Sequence, residues 1–118
     1  MRIQVGPAIV EVEVVSTPEH LARGLAGHAP LGPGRGMLFV FAQAGRHVFW
    51  MRGVAFPIDV VFVGLDGRVA EVFERAASGS EVPFGPATPT QFVIELPAGF
   101  VHAAGIRVGD AVSVSDGQ

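Results

Sequence analysis

The sequence predicts a mainly β fold, a small curled sheet or barrel-like sandwich with one early helix. Residues Ala8–Val15 alternate Val with Glu, which indicates a half-buried strand. Further short apolar runs are separated by turn residues, and the 118-residue chain holds 16 Gly and 9 Pro. Between two such runs, Asp66-Gly67 is a strong hairpin signal, for which we expect a primed turn. The length fits one domain over residues 1–118.

One helix is predicted after the first strand. Thr17 is suited to its N-cap, and Pro18 to its first helical position. Leu21 and Leu25 are four residues apart and would share the buried face, while Gly27 is expected to end the helix.

The remaining strands are expected as short apolar runs, with one long loop between the fifth and sixth. Strands are predicted over residues 37–41, 47–51, 58–63, 69–74, 91–96 and 111–114, and a helical turn within 98–104. Residues 76–90 carry three Pro and two Gly, so they are predicted to form a loop. A loop of this length is often functional, and we expect either a lid with Phe84 as its apolar anchor or a fixed cover over the core.

Composition excludes several classes of function. The absence of Cys removes thiol catalysis, iron–sulfur clusters and Cys-based zinc sites. The net charge is −3 and the eight basic residues are all Arg, scattered singly, which makes nucleic acid and anionic membrane poor partners. The four His show no metal-ligand spacing, so no metal or cofactor is predicted.

The sequence also lacks the patterns of a membrane protein. No apolar run approaches the roughly 20 residues that span a bilayer, and no basic segment leads into an apolar one at the N-terminus. A cytoplasmic location is therefore the default, and an exported one is expected if a signal peptide was trimmed. No pattern indicates an oligomeric state.

Two carboxylates lie inside strand-forming apolar sequence, and they are the candidate catalytic residues. These are Asp59, in the run 58–63, and Glu95, near the end of the run 91–96. A buried, unpaired charge costs several kcal/mol, so each needs a partner or a polar pocket. Asp59 is expected to pair with Arg52 or to accept backbone N–H bonds, and Glu95 to bind backbone N–H groups or an Arg. Alternatively the two lie on neighbouring strands or otherwise face one cavity, with side chains within about 10 Å, the outer separation for an acid/base pair acting on a glycosidic bond.

Trp50 and its neighbours complete the candidate ligand site. Strand alternation places Asp59 with Val61 and Val63 on one face of its strand. Trp50, the only Trp, is expected in the core; if exposed beside Arg52 and Asp59, it would offer a flat apolar face to a sugar ring or planar ligand. The predicted ligand-binding residues are Trp50, Arg52, Asp59, Glu95 and Phe84. Met37 and Met51 are expected to fill the core.

The chain resembles the DUF192 family over almost its whole length. The resemblance rests on Thr17, Glu19, Gly24-Leu25, Gly36-Met37-Leu38-Phe39-Val40-Phe41, Phe49-Trp50-Met51, Pro57-Ile58-Asp59, Phe62, Asp66-Gly67, Glu95-Leu96, Gly99 and Gly109-Asp110. It implies a compact, mostly β fold with a helix, relatives that often carry a secretion signal, and no established activity. The chain departs from the family where Ala26 replaces a usual Met and Arg52-Gly53-Val54 replaces Lys-Asn-Thr. Any ligand contact of that tripeptide would be altered here.

Three functions remain open from the sequence. The first is a small-ligand-binding module with a Trp/Arg/carboxylate pocket, taking a small molecule or a sugar. The second is a hydrolase of envelope carbohydrate that uses Asp59 and Glu95 as its acid/base pair. The third is a structural or protein-interaction domain without catalysis.

Overall fold

A computed structural model describes residues 1–115 and contains one seven-stranded sheet and two short helices. The elements are β1 Arg2–Val5, β2 Ala8–Val15, α1 Pro18–Arg23, β3 Arg35–Gly45, β4 Ile58–Gly64, β5 Val69–Ala76, β6 Thr90–Pro97, α2 Phe100–Ala104 and β7 Val112–Val114. The strand order is β5-β4-β6-β3-β2-β1-β7, and all pairs are antiparallel except β2 with β3. The predicted mainly β class is confirmed.

The sheet curls until its two edge strands approach each other at one corner. The Val69 N–H donates to the Asp110 carbonyl at 2.8 Å, and the Gly109 N–H donates back to the Val69 carbonyl at 2.7 Å. The Val112 N–H donates to the Gly67 carbonyl at 2.9 Å. These bonds join the start of β5 to the start of β7, so the sheet is a half-barrel. The curled sheet predicted from the sequence is confirmed.

Both faces of strand β4 are covered, because two hydrophobic cores lie on opposite sides of the sheet. One core contains Val61, Val63, Ile94 and Leu96, with Val101 of α2 packed on them. The other contains Ile58, Val60, Phe62, Val93, Met37, Phe39, Met51 and Leu25. The predicted alternation along β4 and the core positions of both Met are confirmed.

The helix α1 begins as predicted and ends three residues earlier. The Thr17 hydroxyl accepts a hydrogen bond from the His20 N–H at 3.2 Å, and Pro18 is the first helical residue. The helix ends at Arg23, because Gly24 adopts a φ of 51° while its N–H still bonds the His20 carbonyl. Gly24, rather than Gly27, therefore ends it.

The hairpin between β4 and β5 forms at the predicted place with a different turn. The Gly67 N–H donates to the Gly64 carbonyl at 3.0 Å, and the Gly64 N–H donates to the Arg68 carbonyl at 2.7 Å. Gly67 has a φ of 78°, while Asp66 has no positive φ. This is a type I turn followed by a left-handed Gly, so the expected primed turn is wrong.

Two differences from the predicted strands matter for the site. Residues 47–51 form no strand; Phe49 makes only an isolated bridge with Phe84. The segment packs on the second core through Phe49, and no strand within residues 1–115 forms a ladder with it. The strand β1 was not predicted; it pairs with β2 through a tight turn at Gly6, which has a φ of 54°. No helix within residues 1–115 has the length and apolar character needed to cross a membrane.

Candidate functional site

A cavity of about 570 Å³ opens between α1 and residues 47–54, above the face of the sheet that carries Phe39. We call it the α1 cavity, and we call residues 47–54 the rim segment. Aromatic side chains make much of its wall, namely Phe39, Phe41, Phe49 and Trp50. Phe39 and Phe49 meet edge to face, with ring centroids 5.4 Å apart. The wall is therefore a packed aromatic surface rather than a loose gap.

Glu95 lines the α1 cavity from the sheet. It stands opposite Met37 of β3 and Val60 of β4, both fully buried, and its own exposure is 5%. Within residues 1–115 its carboxyl group accepts no hydrogen bond and meets no cation. Burial raises the pKa of the Glu95 carboxyl to about 8. At neutral pH the group is therefore mostly a neutral acid, able to donate one hydrogen bond and accept others.

Asp59 lies on the other face of the sheet and is held by two backbone groups. One carboxylate oxygen accepts from the Arg75 N–H and the other from the Val101 N–H, each at 2.9 Å. Glu74 and Arg75 together oppose Asp59 in a β-bulge, and Arg75 has a φ of 57°. Val101 is in the first turn of α2, whose N-cap Gly99 has no capping side chain. Asp59 thus fixes the bulge and caps α2, which confirms the expected backbone N–H bonds.

The expected shared cavity of the two carboxylates is wrong, although they do lie on neighbouring strands. In the pairing of β4 with β6, Asp59 stands opposite Leu96, while Val60 stands opposite Glu95. Residues opposite each other in a ladder point to the same face, and consecutive residues point to opposite faces. The two side chains therefore emerge on opposite faces, and Asp59 does not line the α1 cavity.

Trp50 stands at the mouth of the α1 cavity, with 46% of its surface exposed. The expectation that it is core is wrong, because the indole is turned outward, whereas its neighbour Met51 points inward and is 2% exposed. The Arg52 guanidinium lies 5.3 Å from the centre of the indole. The same guanidinium is 3.8 Å from Glu81, with both side chains mostly exposed. The expected Arg52–Asp59 pair is therefore wrong.

Phe84 lies outside the α1 cavity and supports its wall from behind. Phe84 and Phe49 exchange backbone hydrogen bonds of 2.9 and 2.7 Å. The Phe84 ring packs against Phe73, with centroids 4.6 Å apart, and against Phe49 at 6.0 Å. The Gly79 N–H adds a bond to the Val54 carbonyl at 2.9 Å. No residue from 76 to 90 lines the cavity, which favours the fixed cover over the lid.

Two titratable lining residues, His47 and Arg23, lie outside the predicted set of ligand-binding residues. His47 stacks on Phe41, with ring centroids 3.7 Å apart, and its Nε2 lies 2.9 Å from the Gln43 carbonyl. Arg23, in the last turn of α1, is exposed at the cavity wall. The spacing of Phe39 and Phe41 could have indicated an aromatic face on β3, since residues two apart in a strand share a face. Nothing local points to His47 or Arg23. Residues 1–115 contain no group of three or more His, Cys, Asp or Glu that could hold a metal.

Comparison with known proteins gives a family and a fold. The structure is similar to the crystal structure of a protein of unknown function from Novosphingobium aromaticivorans, with a TM-score of 0.92, 32% identity, and coverage of 96% of this chain and 84% of that one. It is also similar to a Sinorhizobium meliloti protein described as a candidate transcription regulator, with a TM-score of 0.90, 29% identity, and coverage of 96% and 92%. No curated protein matches the chain. The family model DUF192, described as an uncharacterized ACR, matches residues 1–114, so the chain belongs to the DUF192 family.

Proposed function

We propose that the domain binds a small molecule in the α1 cavity, with Glu95 as the group that fixes its orientation. The observation that supports this most is the Glu95 carboxyl, 5% exposed and without a hydrogen bond from residues 1–115. Both oxygens of this carboxyl reach the open space of the cavity, where a polar ligand atom can hydrogen-bond them. An apolar residue at this position would offer no such bond.

The walls of the cavity support the same proposal. Small-molecule sites are typically concave, about 300–1,000 Å³ in volume, and lined by apolar and aromatic side chains with a few polar groups. The α1 cavity has a volume of about 570 Å³ and combines aromatic rings with Glu95, Arg23 and Arg52. Trp50 at the mouth presents a partly exposed indole, which suits a sugar ring or another planar group.

The two other functions have less support. The carbohydrate hydrolase needs two carboxylates beside one bond. Both oxygens of Asp59 are occupied by backbone N–H groups on the opposite face, which leaves Glu95 alone in the cavity. A purely structural domain would be expected to close its carboxylates into bonds beneath a packed Trp. Asp59 follows that pattern, but Glu95 and Trp50 do not.

Trp50 provides the test, because the chain has one Trp and no Tyr, so its intrinsic fluorescence reports on the cavity mouth alone. A library of sugars and planar fragments is titrated against the protein, with backbone NMR shifts as a second readout. We expect hits that change Trp50 emission and shift the amides of Phe39, Trp50 and Glu95. Affinity should fall in Glu95→Leu and be partly kept in Glu95→Gln, which retains hydrogen-bonding atoms.

Phe92→Ala is the matched control, because Phe92 is 40% exposed and lies outside the cavity. This variant should bind as the wild type does. A library without a single compound that perturbs the cavity, or hits that bind Glu95→Leu equally well, would contradict the proposal.

A further inference from the structure

The charges around the α1 cavity are arranged with cations at its wall and a neutral acid at the sheet. Arg23 extends from the last turn of α1 and Arg52 from the rim segment, and both are exposed. The other titratable side chains that line the cavity are His47 and Glu95. Within residues 1–115, Glu95 is the one acidic residue in the lining, and at neutral pH it carries little charge because its pKa is raised to about 8.

The Arg52 guanidinium is available to an incoming anion. Its contact with Glu81 is 3.8 Å long and the two side chains are 64% and 65% exposed, so the pair is weak. The guanidinium lies over Trp50, so cation and aromatic ring form one surface at the mouth. Arg23 has no carboxylate within salt-bridge distance among the residues that the structure describes.

From this arrangement, and resting on the small-molecule function proposed above, we propose that the ligand is a ring compound with one anionic group, which binds Arg52 and Arg23 while Glu95 hydrogen-bonds an oxygen of the ring or its substituents. Guanidinium groups are the preferred partners of carboxylate and phosphate, since they donate two parallel hydrogen bonds. A ligand with an ammonium group would have to pass both guanidinium groups and displace the Glu95 proton. The source of the ring, an acidic sugar or an aromatic acid, is left to the experiment.

Two matched series of ligands test the charge at a constant ring, at neutral pH. The sugar series is glucuronate, glucose and glucosamine, and the aromatic series is benzoate, benzyl alcohol and benzylamine. We expect the anion of one series to bind about tenfold more tightly than its neutral analogue, as followed by Trp50 fluorescence and NMR shifts. That affinity should fall as salt is raised, because the guanidinium groups are exposed.

Variants then locate the anionic group. Arg52→Gln and Arg23→Gln should each lower the affinity for the anion several-fold. NMR shifts are the readout here, because Arg52→Gln also alters the surroundings of Trp50 and hence its fluorescence. Arg107→Gln, which changes the net charge equally and lies outside the cavity, should have no effect. Glu81→Gln should raise the affinity for the anion two- to threefold, since it removes the carboxylate that competes for Arg52.

Other outcomes separate this inference from the function on which it rests. Tighter binding of the amine, or equal and salt-independent binding of all three members, overturns the anionic class while leaving a small-molecule site. Binding of the anion unaffected by Arg23 and Arg52 also overturns it. If neither series binds but the wider library yields ligands of another class, the inference fails and the proposed function stands. If nothing perturbs the cavity, both fail.

Discussion

Asp59 and Glu95 lie one register position apart on adjacent strands and point to opposite faces of the sheet. Each is at most 5% exposed, yet their surroundings differ completely. Asp59 has both oxygens bonded by backbone N–H groups, whereas neither oxygen of Glu95 is hydrogen-bonded by residues 1–115. Asp59 therefore stabilises the fold, whereas Glu95 lowers the stability of the fold when it is ionised, because burial disfavours its charge.

The burial of Glu95 predicts that the stability of the fold depends on pH. The pKa of Glu95 is raised from 4.5 to about 8, so between these pH values the folded state binds more protons than the unfolded state. The contribution of Glu95 to stability therefore falls as the pH rises through this window, by on the order of 5 kcal/mol in total. Glu95→Gln should be close to the wild type at pH 5 and more stable by several kcal/mol at pH 8.5, as measured by chemical denaturation. A difference that stays constant with pH would show that Glu95 is better solvated than the structure indicates.

Removal of the Asp59 carboxylate is expected to destabilise the fold, in contrast to Glu95→Gln. Asp59→Ala strands the buried N–H groups of Arg75 and Val101, and unbonded buried groups cost about 1–3 kcal/mol each. We expect a loss of about 3 kcal/mol in the free energy of unfolding, with faster hydrogen exchange at both amides. Arg52→Ala is the control; as an exposed side chain with a weak ion pair, it should change stability by less than about 0.5 kcal/mol. A larger loss in Arg52→Ala than in Asp59→Ala would reverse these assignments.

The parts of the fold that the sequence predicted well are encoded in short windows. The alternation of β2, the Thr17-Pro18 helix start and the Asp66-Gly67 hairpin each depend on a few adjacent residues. Their structures follow from local sterics and local hydrogen bonds. The end of α1 depended on a choice between Gly24 and Gly27, and local rules allow both.

The arrangement of the site could not be predicted from short stretches of sequence. Whether Asp59 and Glu95 share a face is decided by the register of β4 against β6, and a slip of one residue would place them together. Likewise Trp50 lies in an apolar run that reads as a core strand, but its exposure depends on whether another layer covers the rim segment. Both questions are settled by contacts between residues distant in sequence, namely strand register for the carboxylates and packing over the rim segment for Trp50.

The loop between β5 and β6 is predicted to be a fixed support rather than a gate. Gly79 and Phe84 donate backbone hydrogen bonds to the rim segment, so their amides should be protected from hydrogen exchange without any ligand. Phe84→Ser should destabilise the domain by about 2–3 kcal/mol, because it removes a ring packed against Phe49 and Phe73. Val82→Ser, in the same loop and 71% exposed, should change stability little. Rapid hydrogen exchange at the amides of Gly79 and Phe84 that slows only when a ligand binds would instead show that the loop is a lid.

Thr90, the first residue of β6, carries an unbonded polar group that is buried more completely than the Glu95 carboxyl. It is fully buried, and its hydroxyl has no hydrogen-bond partner among residues 1–115. Unlike Glu95, it does not line the α1 cavity, so no ligand in that cavity would satisfy it. Thr90→Val keeps the shape and removes the hydroxyl, so we expect a gain of about 1 kcal/mol in the free energy of unfolding and unchanged ligand binding. Thr90→Ser keeps the hydroxyl, removes a buried methyl group, and should lose about 1 kcal/mol. Loss of stability in Thr90→Val would mean that the Thr90 hydroxyl is hydrogen-bonded to a buried water molecule.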